Sequence, residues 1–190
     1  QASLVEPKLL ERWPADFRIS VTYELSGNKL ASTIEIENPD EKPLPFGFGT
    51  HPYFRVPLGA GGEAAKCRIT VPAASYWELV DMLPTGKKLP AAGGRALAGG
   101  MEFAETKLDD VLDDLTFQKG EALATIDDPV SGRGLRLTFD EGFRACVVYN
   151  PSHREAFCIE PYTCVPDPFA LAAKGIDAGL RVLRPGERFV

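Results

Sequence analysis

The 190-residue chain is 44% hydrophobic, which is enough to bury one substantial core and favours a single domain. Its formal net charge of −6 argues against nucleic acid or an anionic membrane as partner, because those surfaces need clustered Lys and Arg, and a neutral small molecule fits better. No apolar run approaches the roughly 20 residues that span a bilayer, and the first residues lack the basic-then-apolar order of a signal peptide.

The first predicted elements form a β-hairpin. Apolar residues alternate with polar ones from Phe17 to Leu25, and the letters SGNK supply a turn. Leu30, Ile34 and Ile36 continue the apolar pattern on the far side of that turn. The alternation predicts a hairpin with one buried face.

The segment FGFGTHPYFRVPLG, residues 46–59, holds His51, one of only two histidines in the chain. Pro52 pushes His51 towards an extended backbone, while Gly47 and Gly49 permit conformations or close approaches that a Cβ would forbid. The imidazole is therefore held on a stiff backbone. A functional histidine and a structural one, hydrogen-bonded in a packed corner, would both use this rigidity.

The stretch LDDVLDDL, residues 108–115, is compatible with a short helical turn. Its pattern predicts a solvated face that carries Asp109, Asp110, Asp113 and Asp114, with the intervening apolar residues packed inward. We therefore expect this segment to lie at the surface with its leucines and valine in the core.

Further strand-like runs are AKCRITV, GLRLTF, RACVVYN and AFCIEPY, separated by clusters of Gly, Pro, Asn and Asp. No sustained helical stripe is found. The 18 glycines and 16 prolines are spread through the chain, as expected for many short strands joined by tight turns. The leading fold class is all-β, an antiparallel sandwich or barrel.

Glu160 is the second informative residue. It follows the apolar run 156–159 and precedes a proline, so it should stand at the end of a mostly buried strand. A carboxylate in that position is costly unless it is paired or takes part in chemistry. The alternative to a functional role is a salt bridge, to Arg154 or to another arginine.

The chain has four cysteines: Cys67, Cys146, Cys158 and Cys164. They form no C-x-x-C pair, and His51 and His153 are too far apart for a local zinc motif. We therefore expect reduced, mostly buried thiols in a reducing cytoplasm.

Five stretches occur in a specific order and cover nearly the whole chain: PFGFGTHPYFRVPL, MLPTGKKLP, TKLDDVLDDL, FCIEPYT and DPFALAAKGIDAGLRVLRPGERF. Together they resemble the aldose 1-epimerase (mutarotase) family, particularly its bacterial branches. The resemblance implies a large antiparallel β-sandwich of the galactose mutarotase type with a sugar-binding cleft. It also implies an enzyme that interconverts the α and β anomers of a hexose without cofactor or metal.

The resemblance implies roles for three residues. His51 matches the histidine of the family's HPYF-type motif, a general acid that protonates the ring oxygen. Glu160 matches the glutamate of the EP motif, a general base on the anomeric hydroxyl. Asp109 matches the first aspartate of an LDD-like segment, where a carboxylate accepts hydrogen bonds from sugar hydroxyls, although a loop aspartate that caps a turn is an equally open interpretation.

The chemistry independently calls for these residue types. Opening a cyclic hemiacetal removes a proton from O1 and delivers one to O5, so one acid and one base suffice. We expect His51 and Glu160 to face each other across a cleft wide enough to hold a pyranose ring. Tyr53, Phe54 and Trp77 are candidate walls for a sugar face, although such residues are more often core.

Two features of the family are not matched. The resemblance implies a second active-site histidine and a substrate-binding arginine from strands that precede Gln1, and His153, in a turn-like NPSH segment, does not correspond to that histidine. Either a preceding part of the protein supplies them or the protein works with one histidine. We also expect further strands beyond both ends, without which strand edges would be left unpaired.

Three other functions stay open. A catalytically silent carbohydrate-binding or regulatory protein would keep aromatic walls but would not need His51 and Glu160 together. A glycoside hydrolase normally uses two carboxylates, whereas the pair here is one histidine and one carboxylate. A hexose-phosphate mutarotase would need Lys or Arg at the cleft rim, for which Arg55 is one candidate.

Overall fold

The computed structural model describes residues 2–3, 13–152 and 155–190, and these are built mainly of antiparallel β-strands. The chain divides into two compact units, one formed by residues 1–47 with 180–190 and the other by residues 48–179. The predicted all-β class is confirmed. That the whole chain is a single domain stays a prediction.

The smaller unit contains a four-stranded sheet and a two-stranded ribbon. The sheet has, in spatial order, β1 (Ala2–Ser3), β2 (Arg18–Ser26), β3 (Lys29–Glu37) and β16 (Arg188–Phe189). The ribbon pairs β4 (Leu44–Phe46) with β15 (Arg181–Leu183).

The predicted hairpin is formed by β2 and β3, with Leu25 opposite Leu30 next to the turn. Its buried face is confined to the base, where Ile34 and Ile36 are buried. Near the turn, Tyr23, Leu25 and Leu30 are exposed, Leu25 by 77%. The expectation of a buried face along the whole hairpin is therefore wrong, because alternation fixes which side chains share a face but not whether that face is covered.

The larger unit contains a six-stranded and a four-stranded antiparallel sheet. The six-stranded sheet has, in spatial order, β5 (Tyr53–Arg55), β14 (Ala156–Tyr162), β13 (Ala145–Tyr149), β10 (Asp109–Leu115), β7 (Ala73–Val80) and β8 (Leu83–Pro90). The four-stranded sheet has β12 (Arg133–Asp140), β11 (Glu121–Asp128), β6 (Arg68–Thr70) and β9 (Met101–Glu102).

Helices are short in this unit. The α-helix is α1 (Pro168–Ala173), and 3₁₀ turns occur at Ala64–Lys66, Gly93–Arg95, Leu97–Gly99 and Phe103–Glu105. None of the helices in the described ranges is long and apolar enough to cross a membrane.

A hydrophobic core joins the two sheets of the larger unit. Phe157 and Ile159 of β14 belong to the same buried cluster as Ile126 of β11, and all three are fully buried. Burying a side chain of this size stabilises the fold by about 1.5–3 kcal/mol. Because side chains alternate along a strand, Cys158 and Glu160 project from the other face of the six-stranded sheet, away from this core.

Residues 109–115 form the central strand β10 rather than a helical turn. Asp110 and Asp113 are buried, 6% and 3% exposed, so the predicted solvated face is wrong for these two residues. Arg95 Nε donates to Asp110 Oδ1 at 2.7 Å, and Trp77 Nε1 donates to Asp113 Oδ2 at 2.7 Å. Burial is possible because both carboxylates are hydrogen-bonded by distant parts of the chain.

The predicted buried thiols are confirmed. All four cysteine side chains are buried, and none forms a disulfide within the described chain. Burial raises the pKa of Cys146 to about 12, and burial also raises the pKa of Cys67. These thiols are therefore protonated at neutral pH in the protein.

Candidate active site

The backbone register places His51 opposite Glu160. Two backbone pairs flank this position: Tyr53 with Cys158, and Gly49 with Tyr162. Moving two residues inward from either pair reaches His51 on one segment and Glu160 on the other. Residues that lie opposite each other on antiparallel neighbours have adjacent side chains, so the register brings the two predicted catalytic residues together.

The loop that carries His51 runs along the end of β14. Thr50 N donates to Pro161 O at 3.1 Å, and Thr163 N donates to Phe48 O at 2.8 Å. A Cβ at Gly49 would lie 2.6 Å from the nearest ring carbon of Tyr162, so only glycine permits this approach. The close approach predicted from the glycine of this segment is confirmed.

His51 and Glu160 are in direct contact. His51 Nδ1 lies 3.0 Å from Glu160 Oε1, with side-chain exposures of 53% and 2%. Oε1 nevertheless has no hydrogen-bond partner among the described residues, so the two groups are close without a directed N–H···O bond. The expectation that a pyranose ring would separate them is wrong: they stand side by side.

Both residues line one cavity of about 260 Å³, together with Asp109. The three residues predicted from the sequence are thus brought to one place. Tyr149 of β13 and Tyr162 of β14 also line the cavity, which opens on the face of the six-stranded sheet that Glu160 shares.

The Glu160 carboxyl has a strongly perturbed pKa. Burial is the largest cause and raises this pKa, which reaches about 7. The hydrogen bond from Tyr162 lowers the pKa, and the negative charge of Asp109 raises it. Tyr162 Oη donates this bond to Glu160 Oε2 at 3.3 Å. Partial burial and the neighbouring Glu160 raise the pKa of Tyr162 to about 12, so its hydroxyl remains a donor across the physiological range.

Asp109 is the exposed acid of the site. It begins β10 and lies opposite Tyr149 of β13. Partial burial raises its pKa, the charge of Asp110 raises it further, and the charge of His51 acts in the opposite direction. The cavity wall therefore carries several carboxylates close to a single imidazole.

The aromatic residues were predicted less well. Trp77 is buried and Phe54 packs against the core, so neither forms a wall of the cavity. Tyr53 is 43% exposed and stacks on His51, with ring centroids 5.0 Å apart and planes 10° apart. This stacking fixes the plane of the imidazole.

Sequence reasoning missed Tyr149 and Tyr162. Tyr162 stands two residues after Glu160 on the same strand and therefore on the same face, so strand alternation contained the signal. Tyr149 carries no such local signal, because its position depends on the pairing of β13 with β10.

Arg154, the suggested salt-bridge partner of Glu160, and His153 both lie outside the described residues. Arg55, the candidate for a phosphate-binding rim, is described but is not among the residues that line the cavity.

The antiparallel β-architecture of this chain is that of the galactose mutarotase-like fold. The family model described as aldose 1-epimerase matches residues 1–190. The chain belongs to the aldose 1-epimerase family.

Solved structures share this fold at low sequence identity. A galactose mutarotase-like protein from Clostridium acetobutylicum is 23% identical with a TM-score of 0.86, covering 97% of this chain and 57% of that one. One from Lactobacillus casei is 22% identical with a TM-score of 0.68, covering 97% and 64%. Galactose 1-epimerase from Lactobacillus acidophilus is 20% identical with a TM-score of 0.67, covering 98% and 58%.

A curated relative is similar over a shorter region. The uncharacterized protein YphB of Escherichia coli is 36% identical over 61 residues, which is 32% of this chain and 19% of that protein. The chain thus spans less than two thirds of the length of the solved structures it matches, and a smaller share of this relative is aligned.

Proposed function

We propose that this protein is an aldose 1-epimerase that interconverts the α and β anomers of a free hexose by acid–base catalysis. The observation that carries the proposal is the contact between His51 and Glu160, whose Nδ1 and Oε1 atoms lie 3.0 Å apart at the wall of the cavity. An exposed imidazole beside a buried carboxylate is an acid–base pair that a bound sugar can reach from one side.

In the proposed reaction Glu160 is the base and His51 the acid. Glu160 accepts the proton of the O1 hydroxyl while the C1–O5 bond breaks, and His51 delivers a proton to O5, which leaves an open-chain aldehyde. After rotation about C1–C2, the O5 hydroxyl attacks the other face of C1 and returns its proton to His51. Glu160 then returns its proton to O1, so both groups recover their starting states.

The side-by-side geometry suits this reaction. O1 and O5 are both bonded to C1, so the groups that serve them need to be neighbours. With a pKa near 7, Glu160 is a stronger base than an ordinary carboxylate and is still partly ionised at neutral pH. Asp109, exposed in the same cavity, accepts hydrogen bonds from sugar hydroxyls in this proposal.

The charges of the cavity favour a neutral hexose over a hexose phosphate. In the described chain the cavity is lined by the imidazole of His51 and by the carboxyl groups of Asp109, Asp110 and Glu160, of which Asp110 is paired with Arg95. A phosphate dianion would meet repulsion from Asp109 and from ionised Glu160, since the described lining residues include no Lys or Arg that would neutralise it.

The test is the rate of α-to-β conversion, followed by polarimetry or by NMR exchange, with glucose and galactose as substrates. Glu160→Gln should lower kcat by about 10² or more and leave sugar affinity within about tenfold, because the amide keeps the shape but cannot take the proton. Glu121→Gln is the matched control, since Glu121 is exposed on the four-stranded sheet. Sugar binding without catalysed exchange would instead identify a silent binding protein and contradict the proposal.

A further inference from the structure

Three metal-binding side chains converge beside the cavity. One ligand atom from each of His51, Cys158 and Glu160 lies within 4.8 Å of the other two. Cys158 and Glu160 are two residues apart on β14 and share a face, and the register sets His51 opposite Glu160. Strand geometry therefore fixes Cys158 and Glu160, and His51 is held beside them by a loop that hydrogen-bonds to the end of β14.

The ligand types favour a borderline transition metal. An imidazole nitrogen, a thiolate and a carboxylate oxygen are the ligands that Zn²⁺ takes, at bond lengths of about 2.0–2.3 Å, and the Cys158 thiol would release its proton to solvent on binding. Ligand atoms within 4.8 Å of one another can reach such distances with small side-chain rotations. Mg²⁺ and Ca²⁺ prefer oxygen ligands throughout and do not match this set.

The buried carboxylate supplies a second, independent observation. Glu160 is 1% exposed, and its Oε1 has no hydrogen-bond partner among the described residues. His51 Nδ1 lies 3.0 Å from this oxygen without donating a hydrogen bond to it, and a cation bound between the two atoms would satisfy both. Cys158 is fully buried and is not among the residues that line the cavity, whereas His51 is half exposed, so the metal would enter from the side of His51.

We propose that His51, Cys158 and Glu160 form a Zn²⁺ site whose occupation blocks the acid–base pair. Three protein ligands leave a fourth position, which faces the cavity that His51 and Glu160 line. Bound Zn²⁺ occupies lone pairs of the carboxylate and of the imidazole, so neither group is available for proton transfer. Sugar and Zn²⁺ therefore exclude each other. The inhibition rests on the proposed function, but the binding of the metal does not.

The site is tested first with Co²⁺ as a spectroscopic substitute for Zn²⁺. Ligation by Cys158 should give a thiolate-to-cobalt charge-transfer band in the near ultraviolet, and Zn²⁺ should remove the band by displacement. Cys158→Ala should abolish it, whereas Cys67→Ala removes another buried thiol outside the cluster and should retain it. Glu160→Gln keeps the thiol but removes the carboxylate ligand, and it should weaken Zn²⁺ binding by at least about tenfold. Loss of even an outer-shell partner of a bound metal typically lowers the affinity by that much.

The second measurement is mutarotation with Zn²⁺, with Mg²⁺ and with a chelator. Zn²⁺ should slow turnover competitively with sugar, Mg²⁺ should have no effect, and Cys158→Ala should lose at least about tenfold of the Zn²⁺ sensitivity. A cobalt band in a protein without mutarotation would establish the site and refute the proposed function. No band under excess Co²⁺, or a band unchanged in Cys158→Ala, would overturn the metal site whatever the activity.

Discussion

The Tyr162 hydroxyl lowers the pKa of Glu160, which burial, the largest cause, raises. It donates a hydrogen bond to Glu160 Oε2, and this bond favours the ionised carboxylate and lowers its pKa against the effect of burial. Tyr162→Phe removes the donor, so the pKa of Glu160 should rise above its present value of about 7. Glu160 must be ionised to act as the base, so kcat/KM should rise with pH both in the unmodified protein and in Tyr162→Phe. The midpoint of this rise should lie at a higher pH in the variant.

The pH profile of kcat/KM is the measurement, and Tyr76→Phe is the control. Tyr76 also carries a hydroxyl in the six-stranded sheet, but its ring lies under Arg95 and it does not line the cavity. Its removal should leave the profile in place. If the pH profile of Tyr162→Phe is the same as that of the unmodified protein, the Tyr162 hydroxyl does not shift the pKa of Glu160.

The same carboxyl should make the protein less stable as pH rises. Between pH 4.5 and about 7 the unfolded carboxyl has lost its proton while the folded one keeps it, so folding binds a proton and the free energy of unfolding falls across this window. Glu160→Gln removes this penalty. At pH 8 the variant should be more stable by on the order of 3 kcal/mol, and the gain should vanish below pH 4.5. Chemical denaturation at several pH values measures it, and equal stability at pH 8 would contradict the raised pKa.

At the level of secondary-structure elements, the His51 loop can lie against β14 because Gly49 has no Cβ. The methyl group of Gly49→Ala would lie 2.6 Å from the ring of Tyr162, so ring and loop must separate. Overpacking of this kind typically costs about 1–3 kcal/mol, and here it also displaces the hydrogen-bond donor of Glu160. We expect lower thermal stability and a loss of kcat of about tenfold or more.

Gly94→Ala is the matched control for this substitution. A Cβ at Gly94 meets no atom within 4 Å, and its 3₁₀ turn is not part of the loop-to-strand contact. The control should keep both melting temperature and turnover. If Gly49→Ala behaved like the control, the loop would not depend on its close approach to β14.

Local pattern predicted some elements of this fold well. The hairpin and the buried strand of Glu160 follow from alternation over a few residues, which the sequence displays directly. For residues 108–115 the sequence predicts a solvated face, because no local pattern shows that the distant Arg95 and Trp77 hydrogen-bond two buried aspartates of β10. Likewise, the proximity of His51 to Glu160 followed from the family resemblance, whereas their contact distance depends on strand register, which no local pattern encodes.

For the molecule as a whole, both the net charge of the chain and the charge of the cavity lining are negative. The net charge is −6, and Asp109, Asp110 and Glu160 line the cavity. Because Asp110 is paired with Arg95, the negative field in the cavity comes from Asp109 and from the ionised fraction of Glu160. This negative field does not oppose the binding of a neutral sugar, whereas it repels an anionic sugar.

We therefore predict that kcat/KM for glucose or galactose exceeds that for the corresponding 6-phosphate by at least about tenfold. Two unit charges about 8 Å apart repel by roughly 2 kcal/mol at an effective dielectric constant near 20, which corresponds to more than tenfold. The ratio should narrow as salt is raised, since the Debye length falls from about 10 Å at 0.1 M to about 3 Å at 1 M. It should also narrow in Asp109→Asn, which removes one charge from the cavity. Faster turnover of the phosphate at low salt would show that a basic group reaches the site and that the substrate is a hexose phosphate.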